Sequence, residues 1–411
     1  MARILAYNTP ATGHIFPATG MLVELLRRGH DVHVRTRGSD VERLAELGLR
    51  VAEVDPRIEA IEFDDGDARN QIEALERVQR TFIARGEVEI PDLRGALEKI
   101  RPDALIIDVV CEGAGCVAEA SGLPFAYHSP FPPVFPSKDA PPYGPGWRPA
   151  RGPLGRARDR IGAALLDRLT KRHLPPLNAL RASVGLEPLS RLDAHFLKAP
   201  LFLLFTAEPY EYPRTDWPPQ VRLVGPGEWE PLSDPPPWLH GETRPIVLVT
   251  ASTVRQADDG LVTTALEALA ADGFAVIATT GAHDPAIFDS PANARVERFV
   301  AHGPVLEQAA CVVCHGGQGI TQKSLAAGVP VVVVPFCRDQ FEVARRVEVS
   351  GAGTRLHHKR LSPSRLRRRV HAAISMRAQA ERVAADLAGA GGSAAAADAI
   401  EELLCPATSA P

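Results

Sequence analysis

The run Cys311-Val312-Val313-Cys314-His315-Gly316-Gly317-Gln318-Gly319-Ile320-Thr321 decides how this chain folds. Apolar residues of strand character end at a histidine and a glycine turn, and a helical stretch over 318–327 follows at once. A strand, a tight turn and a helix in that order make one unit of a parallel α/β sheet. Glycines let backbone approach a ligand closely, and the first amides of a helix are unpartnered donors suited to an anion. His315 can donate to a phosphate, and Thr321 adds a hydroxyl. The pattern is neither the dinucleotide fingerprint G-x-G-x-x-G nor a P-loop, since no Gly-Lys-Ser/Thr follows. Cys311-x-x-Cys314-His315 also matches the haem-attachment motif. Residues three apart on a strand face opposite sides of the sheet, so haem is rejected.

The same alternation extends outward in both directions. In the second half Ile246–Thr250, 274–279 and 331–334 read as strands, with helices over 261–271 and 339–350. In the first half Arg3–Tyr7, 32–36, Ala104–Asp108, 125–128 and 201–205 read as strands. A helix follows Pro17, with Ala18, Met21, Leu22, Leu25 and Leu26 on one face and Gly29 closing it. The expected fold class is α/β, with two doubly wound, Rossmann-like parallel-sheet domains facing a cleft. Ligands in such folds lie at the carboxyl ends of the strands.

The length of 411 residues suits two domains at roughly 100–200 residues each. Of the 37 prolines, ten fall in 124–153 and nine in 209–237, which marks both windows as loop or linker. The expected layout is an N-terminal domain over 1–210, a proline-rich linker over 211–240 and a C-terminal domain over 241–411. The last helix is a candidate to pack back on the N-terminal domain.

A net charge of −4 argues against a nucleic-acid partner, and Arg367, Arg368 and Arg369 read as a solvated helix face. No apolar run approaches the ~18 residues of a membrane span. Six irregularly spaced cysteines make no disulfide framework, so the expected compartment is the cytoplasm. Cys111 and Cys116 read as packing residues rather than zinc ligands. Asp65-Gly66-Asp67 resembles a D-x-D metal site, but no strand leads into it and it reads as a solvated loop.

Gly13-His14-Ile15-Phe16-Pro17 follows the first strand, which places a histidine at the sheet's ligand-facing edge. A histidine base needs a partner that fixes its tautomer, and Asp108 ends another strand at the same edge. Asp103 precedes that strand and reads as a turn residue. Phe131, Phe135, Tyr143 and Trp147, in the first proline window, could wall a broad apolar ligand or simply pack the loop.

Taken together these residues resemble the family 1 glycosyltransferases of the GT-B fold, in particular the actinobacterial natural-product type. The matching segments are 13–17, 102–108, 221–226, Ser252-Thr253, 295–306, 314–335 and Asp339-Gln340. The resemblance implies an acceptor-binding N-terminal domain and a C-terminal domain that binds a nucleotide-activated sugar. His14 is similar to the family's general base and Asp108 to its orienting carboxylate, which implies inversion at the anomeric carbon. By the same likeness Thr253, Phe299, Val300, His302, His315, Gly316, Gly317, Gln318, Gly319 and Thr321 meet the donor nucleotide and its diphosphate, and Asp339 and Gln340 meet the donor sugar.

The reaction implied is transfer of a (deoxy)sugar from a TDP- or UDP-sugar to a hydroxyl of a hydrophobic aglycone. No metal and no cofactor are expected, the nucleotide-sugar being a substrate. The partners expected are these two small molecules, and a homodimer stays open. Alternatives are a non-catalytic auxiliary protein and a sugar-nucleotide epimerase. Two positions depart from the family pattern: Ala301 replaces a common proline, and Lys323 replaces a ribose-contacting glutamate. A cation early in a helix needs a bound anion, a neighbouring carboxylate or escape into solvent. Loss of that glutamate makes deoxythymidine donors the expectation.

Overall fold

In the computed structural model, which describes residues 1–68, 71–231, 234–252 and 258–405, every strand belongs to one of two parallel sheets. The first is built from β1 (Arg3–Tyr7), β2 (Asp31–Thr36), β3 (Arg50–Glu53), β4 (Ala104–Asp108), β5 (Phe125–Ser129), β6 (Leu201–Leu204) and β7 (Val221–Leu223), in the order β3-β2-β1-β4-β5-β6-β7. The second contains β8 (Ile246–Thr250), β9 (Ala275–Thr279), β10 (Ala294–Glu297), β11 (Ala309–Cys314), β12 (Val331–Val333) and β13 (Gly353–Arg355), in the order β10-β9-β8-β11-β12-β13. Strand order reverses between β1 and β4 in one sheet and between β8 and β11 in the other. These two switch points are where open α/β sheets bind their ligands.

Both faces of both sheets are buried, so the central strands read as unbroken apolar runs rather than alternating ones. Ile4 and Ala6 enter one core layer while Leu5 and Tyr7 enter the other. Cys311 and Cys314 likewise lie in opposite layers, both as free thiols.

The helices that matter for the site are α1 (Thr12–Arg27), α2 (Gln71–Ile100), α3 (Glu112–Ser121), α4 (Gln318–Ala326), α5 (Gln340–Ser350) and α6 (Gly392–Leu404). α1 starts a turn earlier than the sequence suggests, so His14 lies in its first turn and Pro17 lies inside it. Pro17 removes one N–H whose acceptor would be the carbonyl of Gly13, a loss a helix tolerates near its start. The chain returns at its end to the first half. Ala396, Ala397, Ala399 and Ile400 of α6 join the core layer of Ile15, Met21 and Leu22. Arg28 binds Asp398 and Glu401, each at 2.6 Å.

The 211–240 window is not all connection, because β7 pairs in parallel with β6 as the edge of the first sheet. The crossing between sheets therefore begins after Leu223. It runs along α1, where Trp229 meets Phe16 edge-on at 4.9 Å between ring centres. Among the described residues no helix is long and apolar enough to cross a membrane.

Candidate functional site

At the first switch point the first turn of α1, which follows β1, carries His14, and β4 ends at Asp108. The imidazole Nδ1 stands 3.0 Å from each carboxylate oxygen of Asp108. Asp108 is fully buried and also accepts from the backbone N–H groups of Thr9 (3.2 Å) and Val110 (3.3 Å). Burial alone would raise the Asp108 pKa, but His14 beside it, helped by His128 and the Val110 N–H, holds the carboxyl below its usual value. An ionised carboxylate on Nδ1 fixes the proton there and leaves Nε2 as the acceptor. Phe131 packs edge-on against the His14 ring at 5.8 Å. Next to them on β5, His128 is fully buried with its Nε2 2.9 Å from Asn8 Oδ1, and burial pulls its pKa down to about 4. It is a neutral core residue. Asp103 accepts from the Arg3 N–H at 2.7 Å, at the opposite end of the sheet.

At the second switch point β11 ends at Cys314 and the glycine turn follows. Gly316 has φ of +99°, and a Cβ there would lie 2.7 Å from Val333 Cγ1, so the position needs glycine on both counts. Gly317 is the N-cap of α4 and brings no side-chain acceptor to the helix's first amides. The His315 ring folds over Gly317, with Nε2 2.7 Å from where a Cβ would stand. Its buried Nδ1 finds no partner among the described residues. Burial lowers the His315 pKa, against the pull of Asp258, so the ring is a neutral donor at pH 7. The Gln318 amide nitrogen is likewise buried without a partner among the described residues, while its oxygen accepts from Tyr210 at 3.3 Å. Thr321 differs from expectation. It is fully buried and donates to Gly317 O at 2.8 Å, so its hydroxyl holds the turn instead of facing the cleft.

Phe299 lies beyond β10 and is 64% exposed, whereas Val300 is buried. His302 opens a short helix with Nε2 3.3 Å from Thr279 Oγ1, and burial lowers its pKa to about 4. Thr253 falls outside the described residues. Asp339 stands at the N-cap position of α5 without a side-chain capping bond, and burial raises its pKa while Arg338 and His14 lower it. His14 therefore acts through space on a carboxylate of the other half. Gln340 is buried, and its Oε1 accepts from the N–H groups of Phe336 (2.8 Å) and Cys337 (3.2 Å), shaping the turn that presents Asp339.

Packing corrects one expectation and decides between the alternatives left open at two other positions. Asp65 is no solvated loop residue: it is 5% exposed and forms a two-point ion pair with Arg338 of the other half, at 2.6 and 2.7 Å. The side chain of Asp67 lies outside the described residues. Phe135 packs in the core, edge-on to Phe202 at 4.9 Å. Lys323, partly exposed, takes the neighbouring carboxylate among its three options, with its Nζ 2.7 Å from Glu230 of the inter-sheet connection. The same Glu230 carboxylate accepts from the N–H groups of His302 (2.8 Å) and Gly303 (2.9 Å). The sequence carries no signal for Glu230, which sits in a proline-rich segment without periodicity. Among the described residues no group of three or more His, Cys, Asp or Glu is arranged to hold a metal ion.

Comparisons with known proteins agree with this architecture. Residues 263–403 match the family model described as "Erythromycin biosynthesis protein CIII-like, C-terminal domain". A 4'-demethylrebeccamycin synthase of Lentzea aerocolonigenes is 36% identical over 392 residues, covering 91% of this chain and 92% of the relative. Among solved structures, the glycotransferase of kitacinnamycin superposes with a TM-score of 0.76 at 24% identity, covering 98% of this chain and 99% of that one. The glycosyltransferase VinC, solved in complex with DTDP, gives 0.69 at 22% identity over 98% and 99% of the two chains.

Proposed function

The chain belongs to the antibiotic-type glycosyltransferases of the GT-B fold, and on that premise we propose that it inverts the anomeric carbon of a TDP- or UDP-sugar while transferring the sugar to a hydroxyl of a hydrophobic aglycone. The observation that carries this reading is the His14–Asp108 pair at one switch point and the glycine turn with its helix N-terminus at the other, with His14 near enough to Asp339 of the second half to lower its pKa.

His14 Nε2 takes the proton of the acceptor hydroxyl as its oxygen forms a bond to the anomeric carbon. The bond from that carbon to the diphosphate breaks, and its electron pair leaves with the nucleotide. Asp108 keeps the ring in the productive tautomer and balances the imidazolium that forms. The first amides of α4 and the His315 N–H meet the charge developing on the leaving diphosphate. Asp339 reads hydroxyls of the donor sugar, and Gln340 holds the turn behind it. Phe299, Val300 and His302 line the nucleotide end, and the phenyl ring of Phe299 offers an exposed stacking face. The support for TDP is the absence of a glutamate at position 323, where Lys323 is already neutralised by Glu230.

The test is a melting experiment with TDP and UDP, followed by mass spectrometry of TDP-glucose incubated with a panel of phenolic acceptors. A ligand that binds only the native state at 100 times its Kd stabilises by about 2.7 kcal/mol, which a melting curve resolves. The expected result is a higher Tm with TDP and a hexose mass added to at least one acceptor. An unchanged Tm with both nucleotides would favour the auxiliary-protein reading.

A further inference from the structure

One carboxylate between the two halves is bound in a way the transfer chemistry does not itself require. Glu342 lies in the first turn of α5, three residues after Asp339, and is 1% exposed. Its Oε1 accepts from the backbone N–H groups of Gly144 (2.9 Å) and Gly146 (2.8 Å), and its Oε2 from Arg346 (2.9 Å). Arg346 is held in turn by both oxygens of Glu211, at 2.6 and 2.9 Å. A second tie runs the same way, from Arg345 Nε to the carbonyl of Gly146 at 2.8 Å.

The contact is close as well as polar. Gly146 has φ of +58°, and a Cβ there would stand 2.3 Å from the carbonyl oxygen of Phe341. The loop around Gly144 and Gly146 follows β5 and belongs to the first half, yet its backbone polar groups are satisfied by a helix of the second half. Tyr143, next to Gly144, has its hydroxyl pKa raised by burial and further by Asp339 and Glu342, so its ring shares the neighbourhood of the carboxylate on which His14 acts.

We propose that Glu342 is a positioning residue that fastens the 143–147 loop to the first turn of α5, so that a sugar bound at Asp339 sets where Tyr143 and the rest of that loop stand. The inference rests on the nucleotide-sugar reading given above. Its physical basis is that one turn of one helix carries both groups, so a ligand that orders Asp339 orders Glu342 as well. A carboxylate shared by two N–H donors is charge-assisted and directional, which makes the tie stiff enough to pass that order on. Such coupling is reciprocal, and an acceptor that fixes the loop tightens the hold on the donor sugar by the same factor.

Hydrogen exchange of the whole chain, read at the segment 140–150, tests this with TDP and TDP-glucose as probes and with Glu342→Gln and Gly146→Ala as variants. In the unaltered protein TDP-glucose slows exchange of 140–150 several-fold beyond TDP alone. In both variants the segment exchanges about tenfold faster and gains nothing from the glucose, while nucleotide protection of 315–325 persists. Gly146→Ala moves the loop without removing a charge, so it answers even where Glu342→Gln fails to fold. Equal, sugar-dependent protection of 140–150 in the variants and the unaltered protein overturns the proposal. So does protection of 315–325 in the unaltered protein with no sugar effect on 140–150. Absence of any nucleotide protection at 315–325 brings down the nucleotide-sugar reading itself and is distinguishable from both.

Discussion

The two halves use the same topological position for opposite kinds of chemistry. Where strand order reverses between β1 and β4, the fold presents an ionisable pair of side chains, His14 on Asp108. Where it reverses between β8 and β11, it presents a glycine turn, a helix N-terminus and a neutral histidine. The first arrangement can move a proton but offers little to an anion. The second can hold an anion but contains no ionised base. A parallel sheet fixes where a ligand sits, and the few residues after each strand decide what happens to it.

Breaking the first half should produce the largest effect. His14→Ala removes the base, and turnover is expected to fall by about 10²–10⁴-fold in a steady-state transfer assay. Asp108→Asn should cost as much or less, since that carboxylate orients the base and touches no reacting atom. Gly316→Ala breaks the second half instead. The φ of +99° and the crowding by Val333 force the turn to move, and calorimetry should show TDP binding weakened by about tenfold or more.

Buried carboxylates and buried histidines answer pH in opposite senses. Glu89 and Glu112, where α2 meets α3, are buried, and burial raises both pKa values to about 8. Between the unfolded value near 4.5 and that folded value the native state binds the extra protons, so their contribution to stability is full below about pH 4.5 and declines as pH rises toward 8. Glu89→Gln is therefore expected to leave Tm close to that of the unaltered protein at pH 5 and to exceed it at pH 8. His302 acts in the opposite sense. Its folded pKa of about 4 lies below the unfolded 6.5, so the stability it contributes is present above about pH 6.5 and lost as pH falls through 4.

The smallest expected effect concerns Lys323. With Glu230 at 2.7 Å, Lys323→Glu sets two carboxylates against each other beneath the loop that carries His302. Both TDP and UDP should bind a few-fold more weakly, and Glu230→Lys added to Lys323→Glu should recover part of the loss, as a double-mutant cycle by calorimetry would show. A shift in the TDP/UDP ratio without recovery would mean that Lys323 reads the ribose directly.

Much of this was legible in the sequence because local signals carry it. Apolar runs such as Arg3–Tyr7 and Ile246–Thr250 coincide with β1 and β8. The positions of Asp108 and His315 follow from strand ends, and that of His14 from the glycine turn after β1. What was illegible is what depends on partners far along the chain. Edge strands β3, β10 and β13 are short and half polar, and no periodicity marks them. The helix around His14 begins early because Pro17 costs little near a helix start, which a rule that stops helices at proline misses. Asp65, Glu230 and Glu342 look like ordinary polar residues, and only the docking of one half on the other gives them Arg338, Lys323 and Gly146 as partners.

The division of labour itself is tested most directly by titrating TDP calorimetrically into His14→Ala, using the same preparation in which transfer is assayed. The two sites lie on separate sheets and share no hydrogen bond among the described residues, so TDP is expected to bind with a Kd within about twofold of the unaltered protein while turnover is lost. Turnover near that of the unaltered protein, or a loss of TDP affinity in step with the loss of rate, would contradict the account.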